Sequence, residues 1–347
     1  MRILDNDIYR NDLIRASQNI DLSALKNKSV CITGGLGLIG SAVIDLLLVS
    51  NVTSCIYVLA RNKEKFEEKY KQTDKVKFIS WDALKPMNIT IECDYVIYGA
   101  GLASPELYVK EPVETMLSNF FGIHEMLRYS KKNNVKRLLY ISSSEVYGKK
   151  ETEESFAEDN YGLVNIDDIR STYAVAKRAS ELLCKSYFSE YGVETVIVRP
   201  GHIYGPSASP EDKRISSDFA FKAARGENLE MKSSGLQKRS YCYSIDCAVG
   251  ILTVLIFGKS GEAYNIGHSE VMRIREMATI LAEAGNTELL EIEPTAEEIK
   301  MFNPMRDSFL DDRKIRSLGY NNIFTPEEGL SHTVKILKEV LSSNDKS

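Results

Sequence analysis

Two groups of residues carry most of the chemical information in this chain. Tyr173 and Lys177, in the run Tyr-Ala-Val-Ala-Lys, stand four positions apart, which puts a phenol and an ammonium on one face of a helix. A neighbouring cation favours phenolate, so the spacing predicts that Lys177 depresses the Tyr173 pKa and that Tyr173 serves as base toward a hydroxyl. Upstream, Ser142, Ser143 and Ser144 close an apolar run, where a serine can orient that hydroxyl.

The second group is Thr33-Gly34-Gly35-Leu36-Gly37-Leu38-Ile39-Gly40. Gly34 permits a tight turn, Gly37 lets a pyrophosphate approach the backbone, and Gly40 lets helix and strand pack closely. Leu38 and Ile39 then open a helix whose free N–H groups face the phosphates. A dinucleotide is the ligand this pattern fits. The next apolar run ends in Ala60-Arg61-Asn62, where an acidic residue would hold the ribose hydroxyls of NAD; Arg61 suits a 2′-phosphate and so favours NADP. Asp82 is placed either to touch the adenine or to cap a helix.

Short apolar runs alternate with helical patterns. Strands are expected at 29–33, 55–60, 76–80, 95–98, 138–142 and 195–199, and helices at 38–48, 63–71, 112–129 and 171–191. Runs that are apolar on both faces imply a parallel sheet covered on both sides, an α/β doubly wound domain. Residues 1–28 form an N-terminal extension containing a helix, and 29–200 the dinucleotide-binding domain. Beyond Pro200 the expected elements are short and irregular: a helix at 216–225, a strand at 229–231 and a terminal helix after Pro326. Residues 201–347 mainly form a smaller lobe for substrate, with segments around 241–268, including a strand at 263–266, returning to the main domain.

The 347 residues are 43% hydrophobic and 27% charged, with a net charge of -5, which disfavours a polyanion such as nucleic acid or an acidic membrane as partner. The six cysteines lack the spacing of a metal site, and no apolar stretch is long enough to span a bilayer, so cytoplasmic location without metal is expected. Apolar residues beyond one stripe on the helices at 112–129 and 171–191 (Met116, Phe120, Leu182, Leu183, Tyr187) predict a homodimer joined through a four-helix bundle.

The order and spacing of further motifs make the sequence similar to the extended short-chain dehydrogenase/reductase family, in its nucleotide-sugar branch. They are Asp82, YGAGLASP at 98–105, Asn119 with Gly122, ISSSEVYG at 141–148, RPGHIYGP at 199–206, Arg239 before Tyr241, and LDD at 310–312 before LGY at 318–320. The resemblance covers nearly the whole chain and implies a Rossmann-type fold with a smaller C-terminal substrate-binding lobe. It also implies a nucleotide-diphosphate sugar as substrate and NADP or NAD, tightly bound and regenerated. By the resemblance Ser143 takes the serine/threonine position, Tyr173 that of the base and Lys177 that of its partner. Ala83, Gly99, Ala100, Gly101, Asn119 and Pro200 join the glycine loop, Arg61, Asn62 and Asp82 around the cofactor. Ser104, Ser143, Ser144, His202, Arg239 and Arg306 fall to the substrate.

Members of that branch share one opening step: hydride leaves C4 of the sugar while the tyrosine takes the hydroxyl proton. Epimerases, 4,6-dehydratases and decarboxylases then diverge. Dehydratases carry an aspartate where Ser144 stands, whereas Ser144 followed by Glu145 resembles UDP-glucuronate decarboxylases, which also carry an A-S-P like Ala103-Ser104-Pro105. His202 departs from the asparagine common there. A non-catalytic dinucleotide-binding regulator is a different reading, at odds with the joint presence of Ser143, Tyr173 and Lys177.

Overall fold

The computed structural model describes residues 2–150, 154–295 and 307–344. Its first six strands are β1 (Ser29–Thr33), β2 (Cys55–Ala60), β3 (Val76–Ser80), β4 (Tyr95–Tyr98), β5 (Arg137–Ile141) and β6 (Thr195–Pro200). Five short ones follow: β7 (His202–Tyr204), β8 (Leu229–Met231), β9 (Lys238–Arg239), β10 (Tyr241–Tyr243) and β11 (Ala263–Ile266). The main sheet is seven-stranded in the order β3-β2-β1-β4-β5-β6-β11, with every neighbouring pair parallel. The order reverses between β1 and β4, and ligands of such sheets bind beyond the strand ends at that reversal.

Alternation along each strand splits the core in two. Val30, Ile32, Leu139, Val196 and Val198 face one hydrophobic cluster; Cys31, Leu138, Tyr140 and Ile197 face the other. Over the first cluster lie α2 (Leu38–Ser50) and α8 (Ser244–Phe257); over the second lie α5 (Pro112–Lys132) and α6 (Thr172–Tyr191). The described residues also form α1 (Asp7–Ser17), α3 (Lys63–Tyr70), α4 (Pro105–Lys110), α7 (Ile215–Arg225), α9 (Ile274–Gly285), a short helix at Arg313–Arg316 and a C-terminal helix, Pro326–Asn344. Outside the main sheet the described residues form three two-stranded pairings: β7 with β10, β9 with β12 (Met272–Arg273), and β8 with β13 (Leu289–Glu291).

One expectation about the fold needs correction, and two elements were not foreseen in their place. The chain beyond Pro200 is rich in regular helix, not short and irregular. α8 hid from periodicity because it is apolar all round and buried along nearly its whole length, so no amphipathic stripe marks it. α4 was not expected either, although Pro105 occupies its first turn. The N-terminal helix is wedged into the main domain. Tyr9 donates to Asp45 of α2 at 3.0 Å, and Asp12 accepts from Tyr243 at 3.1 Å and pairs with His332 of the C-terminal helix at 3.0 Å.

Candidate active site

The glycine loop leaves β1 and turns into α2 at Gly37, and its three glycines do different work. Gly34 has φ +69°, and a Cβ there would lie 2.4 Å from the Gly99 carbonyl oxygen. A Cβ on Gly40 would lie 2.4 Å from the Gly34 oxygen and 2.7 Å from the Gly35 Cα, so helix and turn touch backbone to backbone. Gly37 is different. Its Cβ would meet only the Gly34 oxygen, at 3.4 Å, with open space beyond, directly ahead of the free N–H groups of Leu38 and Ile39. This gap at a helix N-terminus fits a dinucleotide pyrophosphate. Thr33 ties the loop to the β4 end: its Oγ1 accepts from the Gly99 and Ala100 N–H groups, both at 3.0 Å.

Past the ends of β2 and β3 lies a cleft of about 390 Å³ lined by Arg61, Ser80, Trp81, Asp82, Lys85 and Asn88, among others. Arg61 is exposed at its rim. Asp82 sits in the wall and also accepts from the Leu84 N–H at 3.0 Å, so it closes a turn while facing the cleft. Asn62 caps α3 through the Lys65 N–H, and Ala83 packs near Gly122. Asn119 is fully buried; its amide donates to the Thr115 and Leu102 carbonyls, while its Oδ1 has no partner. Gly101 (φ +144°) lies against that amide, and Pro200 is buried at the end of β6.

Ser143, just past β5, accepts from the Glu145 N–H at 3.2 Å and stands beside the Tyr173 hydroxyl. Burial pushes Tyr173 up to about 12, against the downward pull of the Ser143 hydroxyl, Arg214 and the Tyr108 hydroxyl. The expectation that Lys177 depresses the tyrosine fails here. Lys177 donates to the Ile141 carbonyl at 2.9 Å, 5.6 Å from the Tyr173 ring centre, and burial pulls its own pKa down to about 7 despite Glu181. For each group burial is the largest influence, and it disfavours the charged form of both.

Near Tyr173 stand Glu145, Arg170, Arg214, Arg239 and His202. Glu145 is held toward its protonated form by burial, opposed by Arg170 and Arg239. Arg239 is 4% exposed and donates to the Lys238 carbonyl at 2.8 Å. His202, opposite Tyr241 in the β7–β10 pairing, has a buried Nδ1 with no partner; burial, then Arg239 and Arg214, pull its pKa down to about 3. Ser144 is buried behind Glu145, and Ser104 stands just ahead of α4. Arg306 lies outside the described residues. Arg170, Arg214 and Tyr108 were missed by the sequence reading. Only Arg170 had a usable signal, three positions before Tyr173.

Residues 30–267 match the NAD dependent epimerase/dehydratase family. UDP-glucuronic acid decarboxylase 1 of Danio rerio is 29% identical over 323 residues, spanning 92% of this chain and 75% of that protein. UDP-glucuronic acid decarboxylase 3 of Arabidopsis thaliana is 31% identical over 283 residues, 80% of this chain and 81% of the relative. Among solved structures, a UDP-glucose 4-epimerase from Thermotoga maritima in complex with UDP-glucose superposes with a TM-score of 0.78 at 24% identity, covering 90% of this chain and 99% of that one. The chain therefore belongs to the NAD dependent epimerase/dehydratase family, as an enzyme that modifies nucleotide-sugars.

Proposed function

We propose that the protein decarboxylates a UDP-uronic acid through transient oxidation at C4. The observation that supports this most is Glu145 beside Ser144. Glu145 is pushed up from the usual carboxylate range by burial and faced by Arg170 and Arg239; it can orient a sugar hydroxyl, and the two arginines supply the positive charge a uronate and a diphosphate need. No carboxylic acid stands at 144 to protonate a departing hydroxyl.

In this reading Ser143 orients the C4 hydroxyl and Tyr173 takes its proton, with Lys177 fixed to β5 beneath them. The glycine loop, Asn119 and the Arg61 cleft would hold the dinucleotide, which supplies a hydride acceptor and a positive charge. The C4 ketone makes the C6 carboxylate that of a β-keto acid. The C5–C6 bond then breaks with its electron pair moving toward the C4 oxygen, carbon dioxide leaves, C5 takes a proton and hydride returns to C4. Arg61 and Lys85, both in the cleft wall, favour NADP over NAD.

We also propose a homodimer through α5 and α6. Val113, Met116, Leu117, Phe120 and Leu182 are exposed there, whereas Tyr187 is buried against His124 and leaves the expected set. Six free cysteines favour the reducing cytoplasm, and among the described residues no helix is long and apolar enough to cross a membrane. The test is mass spectrometry of protein incubated with UDP-glucuronate, UDP-glucose and UDP-galactose in the presence of NAD or NADP. Loss of carbon dioxide from UDP-glucuronate is expected; loss of water, or a change of retention without change of mass, would replace decarboxylase with dehydratase or epimerase.

A further inference from the structure

The helix α4 brings Tyr108 onto the tyrosine assigned as base. The two rings are stacked with centroids 4.5 Å apart and planes 6° from parallel, and both side chains are buried. Nearly parallel stacking at this distance fixes the plane of one ring by the other, and the Tyr108 hydroxyl lies near enough to the Tyr173 hydroxyl to favour its ionised form. α4 is itself held in place: Pro105 sets its first turn, the Glu111 N–H closes its end on Leu107 at 2.8 Å, and its outer face carries the Glu106–Lys110 pair. Its inner face packs against the segment Ile169–Ser171 that leads into α6.

We propose that Tyr108 is a positioning residue for the reaction, holding the Tyr173 ring in its reactive plane and donating a hydrogen bond to the Tyr173 oxygen when that oxygen becomes anionic. The proposal rests on the reading of Tyr173 as base. The roles of the two phenols are unequal. Burial, Tyr173 and Glu145 hold Tyr108 further up than Tyr173, against Arg214 and Arg170, so Tyr173 is the one that ionises and Tyr108 keeps its proton and remains a donor. The charged and titratable groups around the pair are Glu145 after β5, Arg170 ahead of α6, Lys177 on α6 and Arg214 ahead of α7. With Ser143, Tyr108 gives the oxygen a second hydroxyl neighbour. Two donors on one phenolate offset part of what burial costs the ionised oxygen.

Tyr108→Phe and Tyr108→Leu separate the hydroxyl from the ring. The measurement is the pH profile of kcat/KM for carbon dioxide release from UDP-glucuronate, with thermal midpoint and NAD affinity as controls. Tyr108→Phe keeps the stack and loses the donor. Its acid limb should move up by about one pH unit, a loss of about tenfold below the limb that is recovered on the alkaline side, as fits one hydrogen bond to a charged oxygen. Tyr108→Leu loses the stack as well, so the alkaline plateau should fall by about tenfold or more, and phenylalanine should restore it where leucine does not. A Phe profile that superimposes on the wild type overturns the donor role, and equal Leu and Phe plateaus overturn the positioning role. Tyr173→Phe in the same assay separates the underlying reading: if it turns over, Tyr173 is not the base and the proposal falls with that assignment.

Discussion

The glycine loop offers a pair of substitutions with opposite consequences. An alanine at 40 would drive its methyl to 2.4 Å from the Gly34 oxygen and 2.7 Å from the Gly35 Cα, both backbone atoms that cannot rotate away. The turn or the helix must shift, and overpacking of that kind costs about 3 kcal/mol. An alanine at 37 meets one oxygen at 3.4 Å, an ordinary contact, at φ -86° and ψ 178°, which any residue adopts. Its effect on stability should stay within about 1 kcal/mol, the balance between a poorer N-cap and a less flexible unfolded chain. Its methyl, however, fills the gap ahead of the Leu38 and Ile39 N–H groups. Losing one or two charge-assisted hydrogen bonds to a pyrophosphate should weaken dinucleotide binding about 10- to 1000-fold. Urea denaturation without added cofactor and fluorescence titration with NAD and NADP read the two effects separately. If Gly37→Ala binds the dinucleotide as the wild type does, the pyrophosphate does not lie over this turn. If it is destabilised as much as Gly40→Ala, the reading of open space at Gly37 is wrong.

At the other end of the cleft, Arg61→Ala should weaken NADP by about 1–3 kcal/mol and leave NAD nearly unchanged in the same titration; equal effects would make Arg61 a bystander. His202 stays neutral in the fold while the unfolded chain takes up a proton below its ordinary value of 6.5, so its contribution is fully present above that pH and is lost as pH falls toward about 3. His202→Asn should therefore flatten the acid side of the stability curve by up to about 1.4 kcal/mol per pH unit in urea titrations, and an unchanged slope would refute a buried neutral imidazole. Light scattering at on the order of micromolar concentration should give a dimer, which Leu182→Glu, at a position 66% exposed on α6, should dissociate without unfolding. Glu145→Gln should keep much of the decarboxylation rate and leave solvent deuterium at C5 of a pentose product. A loss of about 100-fold or more would make Glu145 an obligatory proton carrier.

Much of the main domain was legible because its signals are local. The glycine loop sits between a strand and a helix within a few residues, and the six leading strands are short apolar runs bounded by polar turns, so chain order alone carries the motif. The expected strand at 263–266 joins the sheet beside β6 for the same reason. What stayed hidden depends on distant packing. α8 has no polar face to set a period, and nothing in residues 1–28 announces that Tyr9 and Asp12 will meet Asp45, Tyr243 and His332. Arg214 reaches the site only because the loop ahead of α7 folds back toward Tyr173 and His202. Tyr108 looked like one more aromatic in a short polar stretch, since stacking on a ring far along the chain leaves no trace in its own neighbourhood.

The failed expectation about Lys177 shows how such a site stores its reactivity. A phenol and an ammonium one turn apart invite the idea of a standing ion pair, yet in this fold burial moves Tyr173 up to about 12 and Lys177 down to about 7. Taking two charges out of water costs more than their attraction returns unless other groups complete the pair. The resting site therefore favours the neutral phenol, with Lys177 anchored on the Ile141 carbonyl in the strand that carries Ser143 at its end. That anchor fixes α6 against β5, and so fixes the distance between Tyr173 and Ser143 before any ligand arrives. An added positive charge changes the balance, because it stabilises a phenolate that Ser143 and Tyr108 already face. On the proposed reading, the phenol would lose its proton once that charge and a hydroxyl to be oxidised are present together. If Tyr173 is the base, the spacing of Tyr173 and Lys177 builds its scaffold, and the burial that opposes ionisation in the empty site would hold the phenol neutral until the site is filled.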